Sequence, residues 1–180
     1  MFIAQEKQNS NIIEYLLYMF HIEDVIRANH LNIVELEKKV IQQYKLSENQ
    51  NLILENWYQQ LILQMTKEGV EQIGHISFLK EIIYQLNDFH IELLNNPEEE
   101  QYLEYYQFAK PLINELKMKM NDPSLTEIEV CVNGLYGFML LRLKKQEVTN
   151  ETSDAIAVFT QLLRYLSTKY HGNKSQQLLN

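Results

Sequence analysis

Apolar residues recur along this chain at spacings of three and four, the pattern of helices that turn one face to a core. Two segments are apolar on more than one face. Ile12, Ile13, Leu16, Leu17, Met19, Phe20, Val25 and Ile26 cover most of the circumference of a helix predicted over 10–29. Ile128, Val130, Cys131, Val132, Leu135, Tyr136, Phe138, Met139, Leu140, Leu141 and Leu143 do the same for one predicted over 125–147. A helix that is apolar on nearly every side needs neighbours on nearly every side, so both are expected at the centre of the fold.

The intervening pattern predicts helices arranged around these two. Asn32 and Glu35 have the spacing of a capping box and open a helix reaching about Tyr44, with Ile33, Leu36, Val40 and Ile41 on one face. Ser47 and Gln50 repeat that spacing before a helix over 48–67, which Gly69 breaks. A fourth carries Ile73, Ile76, Leu79, Ile83, Leu86, Phe89 and Leu93, with a boundary near Gly74 and an end at Asn95-Asn96-Pro97. Pro97 followed by three glutamates starts a fifth, because proline in a first turn gives up no needed hydrogen bond and carboxylates favour the positive helix end. That helix should run to Met120 with a kink or a split near Pro111, and Asn121-Asp122-Pro123 ends it. The last follows Thr149-Asn150, shows Phe159, Leu162, Leu163 and Leu166 at helical spacing, and is expected to stop before His171-Gly172. The expectation is an all-α, single-domain helical bundle of about seven helices over 1–172, followed by a frayed polar tail over 173–180.

Composition narrows the functional classes. Only five Gly and three Pro occur in 180 residues, too few to turn a multi-stranded sheet. The net charge is -8 and the basic residues are scattered, so the footprint needed for a phosphate backbone or an anionic membrane is missing. Neither nucleic acid nor membrane is expected as a partner. A single cysteine cannot form an internal disulfide, and no basic segment leads into an apolar run at the start, so the expected address is cytoplasmic.

The search for chemistry begins with metals. No Glu-x-x-His or His-x-x-x-His pair occurs, and one cysteine makes no thiolate site, so no metal or other cofactor is expected. Serines lie in no nucleophile turn, and no glycine-rich phosphate loop is present. The most site-like feature is a polar stripe on the 10–29 helix. Glu14, Tyr18, His21 and Asp24 fall within about a third of its circumference at ~100° per residue. The stripe is either the edge where the helix meets water or a ligand-binding patch facing a cavity. Arg142 lies in an otherwise apolar run and is expected either in a buried ion pair fixing helix register or as an anion-binding group. Gly134 and Gly137 leave a bare strip of backbone for a crossing helix.

The runs Asn11-Ile12-Ile13-Glu14-Tyr15-Leu16-Leu17, Glu23-Asp24-Val25-Ile26-Arg27, Glu129-Val130, Leu135-Tyr136-Gly137 and Leu140-Leu141-Arg142-Leu143 resemble those of a bacterial family described as a domain of unknown function. That family is all-α, about this long, and typical of gut and oral anaerobes, and it implies a complete single-domain protein. The resemblance carries no activity, cofactor or site residue. A weaker architectural likeness is to the ligand-binding helical half of tetracycline-repressor-type regulators, although no helix-turn-helix with a basic recognition helix is present.

Three functions remain. The first is a non-enzymatic helical protein acting through protein contacts, including self-association through the Tyr102–Phe108 region of the fifth helix or through the last helix. The second is a small-molecule binder with a pocket between the 10–29 and 125–147 helices, using Glu14, Tyr18, His21, Asp24 and Arg142. The third is an enzyme whose site is assembled without a local motif.

Overall fold

The computed structural model describes the backbone of residues 1–177 and the side chains of residues 1–173. Eight α-helices occur among them: α1 (Phe2–Ser10), α2 (Ile12–Ala28), α3 (Ile33–Lys39), α4 (Glu48–Glu68), α5 (Ser77–Asn95), α6 (Glu100–Met120), α7 (Glu127–Leu143) and α8 (Asn150–Gln177), with a 3-10 turn at Ile41–Tyr44. No strand is found among the described residues, and no helix there is long and apolar enough to cross a membrane.

Local chemistry accounts for the helix ends. The Asn11 side chain accepts the amides of Ile13 and Glu14, separating α2 from the unexpected α1. α1 was not evident from the sequence because it carries no apolar stripe and buries only Ala4. Asn32 caps α3 through the amides of Val34 and Glu35, but the α-helix stops at Lys39 and tightens into the 3-10 turn, short of a single helix to Tyr44. The capping box at Ser47 and Gln50 forms as expected, and Gly69 ends α4 at φ 68°. A second capping box, Thr126 with Glu129, opens α7.

Pro111 neither splits nor ends α6. The carbonyl that loses its partner belongs to Gln107, on the exposed side with Pro111 itself, where it is open to solvent. α8 passes the expected stop at His171-Gly172 and reaches Gln177; the rest of the expected 173–180 tail lies outside the described residues.

α2 is central, burying Leu16, Phe20, Ile22 and Ile26 among others. α7 is central only in its first half: Ile128, Val130, Cys131 and Val132 are buried, while no residue from Asn133 to Leu143 is. α6 and α7 run parallel, since Lys110 pairs with Glu127 and Leu116 abuts Gly134. The 121–126 connection therefore doubles back along α6, where Lys117 Nζ donates to the Leu125 carbonyl at 2.5 Å. α8 runs antiparallel to α6, with Lys169 against Glu99 at 2.6 Å and Tyr165 beside Tyr102.

Candidate functional site

Three places combine polar groups or open space with a rigid frame. The first surrounds α2 and the connection between α4 and α5. Glu23 is fully buried, its Oε1 accepting the Ile76 amide at 2.9 Å and its Oε2 lying 2.5 Å from His75 Nδ1. The His75 ring stacks on Phe20 at 3.6 Å with 13° between planes. One turn on, Arg27 donates to the carbonyls of Val70 and Gly74 and pairs with Asp24 at 2.9 Å. Tyr136 of α7 donates its hydroxyl to the other Asp24 oxygen at 2.5 Å. Burial, reinforced by Asp24, pushes the Tyr136 phenol far above its usual range, so it is a neutral donor.

This cluster fixes the loop. Two side chains of one helix satisfy two carbonyls and one amide of a connection that holds Gly74 at φ 91°. An unsatisfied buried group costs ~1–3 kcal/mol, so the clamp is worth several such groups. It also orients an imidazole against a buried carboxylate.

The second place lies between α5, α6 and α7. His90 is buried, with Nδ1 2.7 Å from the Tyr102 hydroxyl and Nε2 3.4 Å from Glu127. Glu127 also binds Lys110. Burial pushes His90 below its ordinary value, and Glu127 opposes this without reversing it. Burial raises Glu127, but the hydrogen bonds from Lys110 and Tyr106 outweigh it and hold the carboxyl low. Every member faces another member, so the network fastens α7 to α5 and α6.

The third is a cleft of about 540 Å³ between α6, α7 and α8. Its floor is Gly134, Gly137, Phe138 and Leu141, and its walls are Leu112 and Leu116 on one side and Ile156 and Phe159 on the other. The inner end is shut where Leu116 and Phe159 close on Gly134: a β-carbon there would stand 2.9 Å from Leu116 Cδ2 and 3.3 Å from the Phe159 ring. At Gly137 a β-carbon would meet nothing within 4 Å, so this glycine faces open space. Glu115, Lys119, Glu151 and Thr152 supply the polar rim.

The residues singled out in the sequence are dispersed. Glu14 is exposed and pairs with Lys7 at 2.6 Å. Tyr18 is half-buried, its phenol pushed up to about 12 by burial and by Tyr44. His21 is half-buried, with an Nδ1 that lacks a partner among the described residues. Asp24 joins the clamp. Arg142 corrects an expectation: it is exposed, lies over the Phe138 ring at 5.1 Å, and pairs with no carboxylate among the described residues. Its long stem carries the guanidinium to water, so a buried partner is not needed. The pocket expected between the 10–29 and 125–147 helices is also displaced. α2 and α7 close directly through Phe20 and Tyr136, 5.5 Å apart edge to face, and the cleft opens among α6, α7 and α8 instead.

Sequence reasoning missed Glu23, His75, Tyr136, His90 and Glu127 as interacting groups. Their partners stand 12 to 112 residues apart in the chain, and no local spacing encodes such pairs. Glu23 did leave a signal, as a carboxylate set between Ile22 and Ile26 on a helix apolar around its circumference.

A family model described as Domain of unknown function (DUF4924) matches residues 1–177. No curated protein and no solved structure matches the chain.

Proposed function

The chain belongs to this family of unknown function, and on the strength of its structure we propose that it is a binding module working through the α6–α7–α8 face, with a second copy of itself as the first partner. The observation that carries this reading is the state of α7 from Asn133 to Leu143. It is apolar around its circumference, and Leu135 and Tyr136 turn to the core, but Phe138, Met139, Leu140 and Leu141 are only half-covered and Leu143 is 61% exposed. Helices of that composition are covered in proteins that work alone, and contiguous bare apolar surface marks a partner's place.

A second copy suits this face because a two-fold pairing lets one surface serve both subunits. Phe108, 65% exposed on α6 one turn before Leu112 of the cleft wall, extends the bare apolar surface beyond the trough. Glu115 and Lys119, neighbours on the rim, have opposite signs and are complementary to themselves under a two-fold axis.

The test is size-exclusion chromatography with light scattering on the wild type and on Phe138→Glu. The expected outcome is a wild-type dimer and a folded, monomeric variant with unchanged helical circular dichroism. A wild type that stays monomeric at high concentration overturns the reading.

The closed inner end at Gly134 favours a second reading, a small apolar molecule lodged in the cleft. Its volume lies within the ~300–1,000 Å³ typical of such sites. Thermal shift with long-chain fatty acids and nonionic detergents checks it. A rise that Gly137→Phe removes supports this occupant, and no rise with either class argues against it.

A further inference from the structure

We propose that His75 is a nucleophilic and general-base site, its imidazole held by Glu23 so that Nε2 meets acyl donors arriving from solvent. This is independent of the binding face, which lies on the far side of α7.

The geometry begins with the carboxylate. Glu23 has no exposed surface and uses its two oxygens separately, Oε1 for the Ile76 amide and Oε2 for His75 Nδ1. An acceptor at Nδ1 places the ring proton there and leaves the lone pair on Nε2. Nε2 has no hydrogen-bond partner among the described residues, and it is not one of the buried polar atoms that lack one. It therefore reaches water, in agreement with a side chain that is 23% exposed. Phe20 lies flat beneath the ring and restrains its rotation.

The loop clamp does not require this arrangement. Arg27 takes the two loop carbonyls and Glu23 Oε1 takes the loop amide, so the bond to His75 is additional. A buried carboxylate that fixes the tautomer and stabilises the imidazolium is the supporting half of a hydrolytic triad.

The substrate class is a small activated ester or thioester. The Nε2 lone pair forms a bond to the acyl carbon, and the bond from that carbon to the leaving oxygen or sulfur breaks with its electron pair. The charged acyl-imidazolium keeps its Nδ1 proton against Glu23, and the leaving oxygen or sulfur takes a proton from solvent on the open Nε2 side. A water then attacks the acyl carbon, the carbon–Nε2 bond breaks with its electron pair returning to Nε2, and the water's proton goes to solvent, releasing the acid and restoring His75. The sum is one ester plus one water to one acid plus one alcohol or thiol. His75 touches the substrate, and Glu23 is a positioning residue.

The test uses diethyl pyrocarbonate on the full chain, with each histidine followed by mass spectrometry. His75 should be carbethoxylated roughly tenfold faster than His30, although His30 is the more exposed, because an oriented base gains reactivity that accessibility does not supply. Reaction of His75 at or below the His30 rate overturns the proposal within the wild-type chain, with no variant needed. In a second arm, hydrolysis of p-nitrophenyl acetate should fall severalfold in His75→Asn, to the level that the remaining histidines such as His30 supply, and an unchanged rate in that variant overturns the proposal. Glu23→Gln, where it folds, should slow His75 modification and shift its ¹⁵N resonances toward a mixed tautomer. Unchanged resonances and rate would remove Glu23 from the role.

Discussion

Tyr136 on α7 donates its hydroxyl to Asp24 on α2 across 2.5 Å, so the two most apolar helices of the chain are joined by a polar bond. That bond sits at the edge of their contact, with Asp24 41% exposed and Phe20 packed edge-on to the Tyr136 ring just inside. Tyr136→Phe removes the donor and keeps the ring. Asp24 retains Arg27 and water, so the expected loss is about 1 kcal/mol, near the low end for a hydrogen bond to a charged group. Urea unfolding reads it, and an unchanged midpoint would show that water replaces the phenol without loss.

Glu23→Ala is expected to be far more severe. It strands the Ile76 amide and His75 Nδ1 in a place with no exposed carboxylate surface, and the expected loss is about 3 kcal/mol. The same urea series compares the two variants directly. Similar losses in both would mean that the buried carboxylate contributes no more than the exposed one.

These two carboxylates also show how far the sequence could be read. Periodicity identified α2 and α7 and their apolar surfaces, because burial of an amphipathic or all-apolar helix is a local property repeated every turn. The capping box at Ser47 was equally legible, being a bond within four residues. The Asp24–Tyr136 and Glu23–His75 contacts were not, since they depend on how whole helices dock. Arg142 misled for the same reason. Its apolar neighbours implied burial, but α7 is fully buried only in its first half and the end carrying Arg142 and Leu143 projects into water.

His90 and Glu127 should add to the pH dependence of stability in separate ranges, beside the lowered Met1 amine in the first and Glu68 and Glu99 in the second. His90 is pushed below its ordinary value by burial, so the folded chain refuses a proton that the unfolded chain accepts below ~6.5. Its contribution is complete above that value and is lost as pH falls below it. Glu127 is held low against the raising effect of burial by Lys110 and Tyr106, so its contribution is complete above ~4.3 and disappears only as pH falls through its depressed folded value. Urea midpoints measured from pH 7 to 3 should therefore fall in two stages. His90→Gln should flatten the first and leave the second. A single fall near pH 4 in the wild type would contradict the assignment to His90.

Cys131 is fully buried in the first half of α7, and burial, with Glu127 adding to it, pushes its thiol far above the usual range. The reactive thiolate is therefore scarce in the folded chain, and a disulfide reagent has no path to the sulfur. Labelling by 5,5′-dithiobis(2-nitrobenzoate) is expected only at the rate of global unfolding, rising in urea along the unfolding transition. Rapid labelling in buffer would show that the start of α7 opens on its own, despite the His90–Glu127–Lys110 network that fastens it.

The two α7 glycines should respond in opposite ways to the same substitution. Alanine improves helix propensity by ~1 kcal/mol at either position, so the difference reports their surroundings. At Gly137 the new methyl meets nothing within 4 Å, and the gain is retained. In a chain of this size that corresponds to a rise of about 2–4 °C in melting temperature. At Gly134 the methyl stands 2.9 Å from Leu116 Cδ2 and 3.3 Å from the ring of Phe159. Leu116 can turn aside, but Phe159 is buried and can move only with α8, so overpacking offsets the gain and Gly134→Ala should melt no higher than the wild type. Thermal denaturation of the pair decides this. A rise for Gly134→Ala equal to that for Gly137→Ala would mean that α8 is free to move off α7 and that the inner end of the cleft is open.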